Sequence, residues 1–234
     1  MAIVRVLSAG AAQAVAEQCA EAFRRETGNE VRADFSAVGA MKARVVAREA
    51  VDVVILTAAL IDELTALSHL VPGSRADLGR VGTGVAVRAG TPLPEVRTMR
   101  ALRENLLAAT RIVCPEPAVA TAGRVVMQAL GKLGIAERVK SRLQFFPNGY
   151  AAMKWLAASQ GTLEMGMTQV TEILANPGVT YVGPLPDGLQ QKTVYSAGLS
   201  ARSENPGAAR DFIARLVAPS ARPVLVAAGY ELDG

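Results

Sequence analysis

The feature that most constrains this chain is a regular alternation of short apolar runs with longer segments of helical periodicity. Residues 3–8 form an apolar run of strand length, and residues 11–27 place apolar side chains on one helical face before Gly28. Residues 51–56 are a nearly continuous apolar run, which is typical of a parallel strand buried on both faces. Further strand and helix signals of this first part lie at 30–35, 39–50 and 60–70. This order predicts βαβαβα, a parallel sheet covered by helices on both faces.

The remainder of the chain alternates in the same way. Strands are predicted at 111–114, 143–146, 163–168 and 179–182. Helices are predicted at 99–109, 121–133, 150–159, 206–217 and 219–228. Two more extended segments, near 81–88 and 193–200, are placed so that they can pass between two units rich in βα connections. The sequence therefore predicts two α/β units rather than a single sheet.

Composition excludes several classes of protein. The formal charge is +4, but the basic residues are scattered and form no block of like charges, so we expect no nucleic-acid partner. No apolar run approaches the ~20 residues of a membrane-spanning helix, so we expect no membrane insertion. Cys19 and Cys114 lack the spacing of a metal or redox motif and are predicted to be buried free thiols.

The amino terminus bears on the compartment. Residues 3–7 already form the first predicted strand, and no signal-peptide pattern precedes them. We therefore expect a cytoplasmic protein. The alternative is a periplasmic protein whose signal peptide was removed and replaced by a methionine.

Familiar catalytic and cofactor motifs are missing from the sequence. The one histidine, His69, lies near the end of a helix, which disfavours His-based triads and His-based metal sites. The sequence has no P-loop, and the first strand is followed by a single glycine, Gly10, instead of a dinucleotide-binding G-x-G-x-x-G. We therefore expect neither a cofactor nor a metal ion.

A recurring pattern does point to a ligand: a strand that ends in small residues and opens directly into a helix. It occurs at 8–11, 36–39, 120–123 and 148–151. Each helix start carries unpaired backbone N–H groups and the positive end of the helix dipole, and small residues allow a ligand to approach these groups. The simpler interpretation is that small residues only permit tight turns. Because the pattern recurs in both predicted units, we favour an anion site in a cleft between them.

The same stretches resemble a known family. They are VRVLSAGAAQAVAEQCAEAFRRETGNEV, SAVGAMKARVVAREAVDVVILTAALIDEL, PEPAVATAGRVVMQALGKLGI, NGYAAMKWLAASQGTLEMGMTQVTEIL and RDFIARLVAPSARPVLVAAGYE. In this order they resemble the molybdate-binding branch of the type 2 periplasmic binding proteins over nearly the whole chain. The resemblance implies a two-lobed α/β fold, each lobe a mostly parallel sheet flanked by helices, joined by two crossover strands. It implies one lobe of 1–83 with 195–234 and a second of 84–194.

The family's oxyanion-binding side chains are altered in this sequence. Ala11 and Val38 stand where the family has serines, and Gln169 stands where it has a tyrosine. A tetrahedral oxyanion would lose charge-assisted hydrogen bonds worth about 1.5–3 kcal/mol each, so molybdate is not the expected ligand. Neutral donors and helix amides suit a carboxylate instead.

The predicted ligand site contains both backbone and side-chain groups. It comprises Ser8, Gly10, Ala11, Val38, Gly39, Thr57, Thr121, Ala122, Asn148, Gly149, Tyr150 and Gln169. Lys42, one turn into the second helix, and Tyr150 are the candidate catalytic bases, although Lys42 in its simplest interpretation is only a solvated helix residue.

Two functions remain open at this point. The first is an isomerase of unsaturated di- or tricarboxylates, of the aconitate isomerase kind found among relatives of the family, which moves a proton between carbons. The second is a solute-binding protein or sensor for a small anion. An ABC permease is an expected partner only if the chain is exported.

Overall fold

The structure of the chain is a computed structural model, which describes residues 1–232. The strands are β1 (Ile3–Ala9), β2 (Glu30–Ser36), β3 (Val53–Thr57), β4 (Ala76–Val81), β5 (Thr83–Arg88), β6 (Arg111–Pro115), β7 (Leu143–Phe146), β8 (Glu164–Gln169), β9 (Val179–Pro184) and β10 (Thr193–Leu199). The helices are α1 (Gln13–Thr27), α2 (Val38–Val46), α3 (Ala58–Ala66), α4 (Met99–Ala108), α5 (Thr121–Lys132), α6 (Ala136–Val139), α7 (Gly149–Ala158), α8 (Val170–Leu174), α9 (Pro206–Leu216) and α10 (Arg222–Ala227).

The chain forms two compact units. Unit 1 comprises Met1–Val81 together with the residues from Thr193 onward, and unit 2 comprises Gly82–Lys192. The sequence places the corresponding lobes at 1–83 with 195–234 and at 84–194. Of the first lobe, residues 233 and 234 lie outside the described residues.

Each unit is built on a five-stranded sheet, and the two sheets have the same topology. The strand order is β2-β1-β3-β10-β4 in unit 1 and β7-β6-β8-β5-β9 in unit 2. In unit 1, β1 is parallel to β2 and β3, while β10 is antiparallel to both of its neighbours. In unit 2, β6 is parallel to β7 and β8, while β5 is antiparallel to both of its neighbours. Two mostly parallel sheets flanked by helices confirm the predicted two-lobed fold class.

The chain passes between the units at Gly82 and after Lys192. The predicted crossover strand at 81–88 corresponds to β5, which begins just after the crossing at Gly82 and lies in unit 2, whereas β10 belongs wholly to unit 1. In unit 2 the side chain of Gln190 bonds to the backbone of Thr83, with Oε1 accepting from its N–H at 2.9 Å and Nε2 donating to its C=O at 2.8 Å. The first and last segments of unit 2 are thereby joined.

The sequence prediction missed β4. This strand lies at the edge of its sheet, where it pairs with β10 and, at Arg80, with Glu231, and its residues are polar or only partly buried at most positions. It contains Gly79, which has φ +140° and lies so close to Glu231 that a Cβ would come within 2.9 Å of the Glu231 carbonyl oxygen. A short edge strand of this composition lacks the apolar run by which the central strands are recognised.

Apolar side chains fill the space between helices and sheet in both units. All five residues of β3 are buried, as its continuous apolar run predicts. Phe23 of α1 and Phe212 of α9 are fully buried with ring centroids 5.5 Å apart, so the two ends of the chain share one core. Within residues 1–232, no helix combines the length and the apolar character that crossing a membrane requires.

Both cysteines are buried and free, which confirms the prediction. Burial raises the pKa of the Cys114 thiol to about 12, with a smaller contribution from Glu116. A thiol with this pKa stays protonated near neutral pH, so Cys114 is chemically inert.

The shared aromatic core of unit 1 gives a stability prediction. Replacing Phe212 by Ala removes a fully buried ring and leaves a cavity, so we expect the free energy of unfolding to fall by about 3–5 kcal/mol. Val226→Ala is the control, because Val226 is 59% exposed and its truncation should cost less than about 0.5 kcal/mol. Urea unfolding of the two variants measures both values, and equal effects would contradict a core joined by these rings.

Candidate functional site in the two sheets

The carboxyl edge of the unit 1 sheet carries three helix starts. β1, β2 and β3 end at Ala9, Ser36 and Thr57, and each is followed at once or after one residue by a helical turn. β2 and β3 lie on opposite sides of β1, so the connections after β1 leave the sheet where the strand order reverses. In doubly wound sheets, ligands bind at this position.

These helix starts lack side-chain caps. Ala9 precedes the 3-10 turn Gly10–Ala12, Ala37 precedes α2 and Thr57 precedes α3, and none of the three gives a side-chain hydrogen bond to the helix. The first N–H groups of such helices have no partner within the helix, and the dipole favours an anion beside them. Unit 1 therefore offers backbone donors at this edge of its sheet.

The side chains of the predicted ligand site in unit 1 are less available to a ligand than the backbone N–H groups of that unit. The hydroxyl of Ser8 is fully buried and donates to the Ala9 carbonyl at 3.0 Å. Ala11 and Val38 are buried, and the Ala11 carbonyl accepts from the Tyr230 hydroxyl at 3.2 Å. Thr57 is 8% exposed and Gly39 is half-buried.

Lys42 forms an ion pair inside unit 1. Its Nζ lies 2.7 Å from Oε1 of Glu63, so the pair joins α2 to α3. The ammonium group of Lys42 is thus engaged by a carboxylate of the chain itself.

In unit 2, the start of α5 also lacks a side-chain cap. Ala120 precedes the helix and gives no side-chain bond, and the Thr121 hydroxyl accepts from Nη2 of Arg124 at 3.3 Å. A Cβ at Gly123 would come within 2.3 Å of the Pro115 carbonyl oxygen, so glycine is needed for this helix to approach the end of β6. Ala122 is buried at this contact.

The start of α7 is different, because the chain supplies its own carboxyl group there. The carboxylate of Glu172 accepts backbone hydrogen bonds from Gly149, Tyr150 and Gln169. The hydroxyl of Thr168 donates to Oε2 of Glu172 at 2.5 Å. Burial raises the pKa of Glu172, while these hydrogen bonds act in the opposite direction.

The backbone hydrogen-bond donors at 149–151 already have partners within the chain. The amides of Gly149 and Tyr150 bond to Glu172, and the side chain of Asn148 accepts from the N–H of Ala151 at 2.8 Å. Backbone and side-chain donors at the start of α7 therefore form a structural cap, in which Asn148 and Gly149 hold the helix rather than face a free anion. Sequence reasoning missed Glu172, whose signal is a glutamate that follows Thr168 by four residues, directly after a predicted strand.

Gln169 presents buried polar atoms that no described residue satisfies. The residue is 2% exposed, and neither its Oε1 nor its Nε2 has a hydrogen-bond partner. Thr83 is its partner across the antiparallel pair β8–β5, so both side chains lie on the same face of the sheet. The hydroxyl of Thr83 is fully buried and also lacks a partner. We call Gln169 and Thr83 the orphan pair.

The orphan pair lies on the sheet face that α5 covers. Val85 and Met167, two residues further along the same strands, belong to the core cluster that also contains Val125 and Val126 of α5. Because α5 starts at the carboxyl edge where β8 ends, the orphan pair and the uncapped start of α5 are at the same end of unit 2. A buried amide without hydrogen bonds costs about 1–3 kcal/mol, so this position favours a polar ligand.

The structure distributes the predicted site residues over two sets. In unit 1 these are Ser8, Gly10, Ala11, Val38, Gly39, Lys42 and Thr57; in unit 2 they are Thr121, Ala122, Asn148, Gly149, Tyr150 and Gln169. Thr83 was missed because a threonine in a predicted crossover strand belongs to no motif. In the part of the chain that the structure describes, no group of three or more His, Cys, Asp or Glu side chains could hold a metal ion.

The close approach of Gly149 to Thr168 and Glu172 predicts that a larger residue at position 149 destabilises the protein. A Cβ at Gly149 would lie 1.9 Å from Oγ1 of Thr168 and 2.0 Å from Oε2 of Glu172, so Gly149→Ala must displace this buried pair. We expect a loss of at least about 3 kcal/mol in the free energy of unfolding. Gly131→Ala in α5 is the matched control. A Cβ there meets nothing within 4 Å, so the change should stabilise unit 2 by about 0.5–1 kcal/mol. Chemical denaturation compares the two, and a Gly149→Ala variant as stable as the wild type would contradict the contact.

The raised pKa of Glu172 predicts how stability depends on pH. The folded state keeps the proton of Glu172 at pH values where the unfolded chain, with a pKa near 4.5, has lost it. Stability from this group is therefore present below that pKa and falls as pH rises toward the folded pKa, with a slope of at most about 1.4 kcal/mol per pH unit. Glu172→Gln should remove this slope in unfolding curves between pH 4 and pH 8. Asp187→Asn, at an exposed carboxylate, should leave it unchanged. Parallel pH profiles for wild type and Glu172→Gln would be inconsistent with the burial argument.

Comparisons with known proteins agree with the fold. The chain is 28% identical to an aconitate isomerase from Pseudomonas sp over 97% of its own length and 86% of that protein. The periplasmic molybdate-binding protein of Azotobacter vinelandii has a similar structure, with a TM-score of 0.84 at 22% identity, covering 99% of this chain and 100% of that one. The sulfate-binding protein SubI of Mycobacterium tuberculosis H37Rv gives a TM-score of 0.79 at 16% identity, covering 98% and 86% respectively. A model of the bacterial extracellular solute-binding proteins matches residues 4–231, and the chain therefore belongs to this family.

Proposed function

We propose that this protein binds a small organic carboxylate and, more specifically, that it isomerises an unsaturated di- or tricarboxylate. The orphan pair carries the proposal. Gln169 has both amide atoms buried without a partner, beside the fully buried hydroxyl of Thr83. A ligand carboxylate would accept hydrogen bonds from Nε2 of Gln169 and from the Thr83 hydroxyl, which removes the cost of leaving these two donors unsatisfied.

The chemistry of the donors favours a carboxylate over a tetrahedral oxyanion. The uncapped starts of α2, α3 and α5 offer neutral backbone donors, and Ala11 and Val38 have no hydroxyl. At the start of α7, Glu172 already accepts the amides. With fewer donors than a tetrahedral oxyanion needs, the groups that remain suit a flat carboxylate on a carbon skeleton.

The similarity to an aconitate isomerase supports the finer proposal. In such a reaction a base removes a proton from a carbon next to a carboxylate, the double bond shifts by one position, and a proton returns at the far carbon. No oxidant or reductant is needed, because atoms and electrons balance within the substrate. Hydrogen bonds to the substrate carboxylate stabilise the enolate-like charge that develops.

Tyr150 is our candidate for the proton transfer. Its backbone N–H is held by Glu172 at the start of α7, which fixes the position of its Cα, and its side chain is half-buried. Lys42, the other candidate from the sequence, is bound to Glu63. A phenol on a rigid helix start can hold or deliver a proton at one defined place.

A second candidate function is solute binding without catalysis, as a transport receptor or as a sensor. It is favoured by the family of the chain and by the Lys42–Glu63 ion pair, which engages one of the two candidate bases. The carboxylate site proposed above serves either function.

The test combines binding with proton exchange. The protein is incubated with cis- and trans-aconitate in deuterated water, and NMR follows isomerisation and deuterium uptake. We expect turnover by the wild type and a loss of at least about a hundredfold in Tyr150→Phe with aconitate binding retained. Inertness toward both isomers together with tight binding would exclude the isomerase and leave the solute-binding function.

Gln169→Leu tests the binding site itself. Losing hydrogen bonds to a charged ligand should weaken aconitate binding by about tenfold to a hundredfold. The unliganded variant should be at least as stable as the wild type, because an unsatisfied amide is replaced by an apolar side chain. Gln18→Leu, at an exposed glutamine, is the control. Thermal unfolding with and without ligand measures both effects. A destabilised free variant, unchanged affinity, or strong stabilisation of the wild type by micromolar molybdate would contradict the proposal.

A further inference from the structure

A cavity of about 230 Å³ lies in unit 2, apart from the orphan pair. It is lined by residues at the start of β8, including Glu164 and Met165, whereas Gln169 ends that strand. Five residue steps of extended chain separate the two ends, which corresponds to about 17 Å. The cavity is therefore a different place on the sheet from the proposed carboxylate site.

The mouth of the cavity is apolar and exposed. Leu93 and Leu163, which both line it, are 61% and 67% exposed, and Pro92 and Pro94 lie beside Leu93. Leu163 has φ +53°, a conformation that is uncommon for a bulky residue. Large apolar side chains held open to solvent around a cavity are typical of a place where a ligand binds.

Arg88 gives the cavity a positive charge. Its Nε is buried without a hydrogen-bond partner, and its guanidinium forms no ion pair with any residue in the described range. Glu164, the acidic residue of the lining, is already engaged, because the Ser159 hydroxyl donates to it and Nε of Arg111 lies 3.9 Å away. Within the described residues, the guanidinium of Arg88, which is partly exposed, thus has no acidic partner.

Local hydrogen bonds keep the lining in place. Nδ2 of Asn105 donates to the Glu95 carbonyl at 2.9 Å and thereby fixes the segment that carries Leu93 against α4. The hydroxyl of Thr91 donates to the Arg88 carbonyl at 2.6 Å, so the turn after β5 is fixed as well. A site whose lining is held in this way needs little reorganisation when a ligand binds.

From these features we infer that unit 2 has a second binding site, for a small molecule with an apolar body and one carboxylate. The carboxylate would pair with Arg88, for which guanidinium geometry is well suited. The apolar body would lie against Leu93, Leu163 and Met165. The volume is sufficient for a single ring, since a cavity of about 150 Å³ accommodates benzene.

Benzoate is the first probe, with benzyl alcohol as its uncharged counterpart. Titration calorimetry measures affinity, and methyl NMR of Leu93 and Leu163 locates the probe. We expect benzoate to bind, to shift both methyl signals, and to bind at least about tenfold tighter than benzyl alcohol. No benzoate binding, or equal affinity for the two probes, would overturn the inference.

Two variants separate the charge from the apolar contact. Arg88→Met should weaken benzoate binding by at least about tenfold, while Arg97→Met, at an exposed arginine, should not change it. Leu163→Gly suits the positive φ and should fold normally, yet it removes an apolar wall and should also weaken binding. If Arg88→Met does not fold, Leu163→Gly still decides the question. Benzoate binding that is unaffected by Arg88→Met and Leu163→Gly would refute a second site, and so would benzoate binding that is lost in Gln169→Leu. Loss of aconitate binding in Gln169→Leu, in contrast, bears only on the proposed carboxylate site at the orphan pair.

Discussion

The buried carboxylate of Glu172 is the contact on which the carboxyl edge of unit 2 depends. It joins three elements, because it accepts from Thr168 in β8, lies in α8, and receives the first amides of α7. A single buried acid therefore replaces the ligand anion that a helix start would otherwise attract. The absence of a Cβ at Gly149 is what allows the acid to reach this position.

This cap distinguishes the two sheets, which otherwise share their topology. In unit 1 the starts of α2 and α3 have no side-chain cap, whereas in unit 2 one helix start is closed by Glu172 and another, that of α5, is open beside the orphan pair. The proposed carboxylate site of unit 2 thus lies on one face of the sheet. Neutral donors dominate there, which allows a ligand to be recognised by the geometry of its hydrogen bonds more than by long-range charge.

The sequence predicts those strands and helices that have a clear apolar periodicity, and it misses those that lack one. Strands such as β3 and helices such as α1 follow from apolar periodicity, and the resemblance gives their arrangement. The edge strand β4 and the short helix α8 lack such periodicity, so local sequence does not reveal them. Their placement comes from pairing partners that are distant in the chain.

The helix starts of the candidate site could be predicted from the sequence, but the pairing partners of its side chains could not. Helix starts can be read from small residues after strands, and Gln169 was found by its place in the family pattern. The pairing of Lys42 with Glu63, and the capping of α7 by Glu172, depend on residues about 20 positions apart that only the fold brings together. Thr83 became visible only through its cross-strand position opposite Gln169.

Unit 1 is built from two segments of the chain that are separated by unit 2, and this affects the order in which the units can fold during translation. Unit 2 is one continuous segment, closed by the bonds between Gln190 and Thr83, and all of it is synthesised before β10. The open side of β3, in contrast, waits for β10, whose Tyr195 pairs with Thr57. Translation thus completes the inserted unit first and leaves an unpaired strand edge in the other, so chaperones that shield sheet edges would act on unit 1 during this interval.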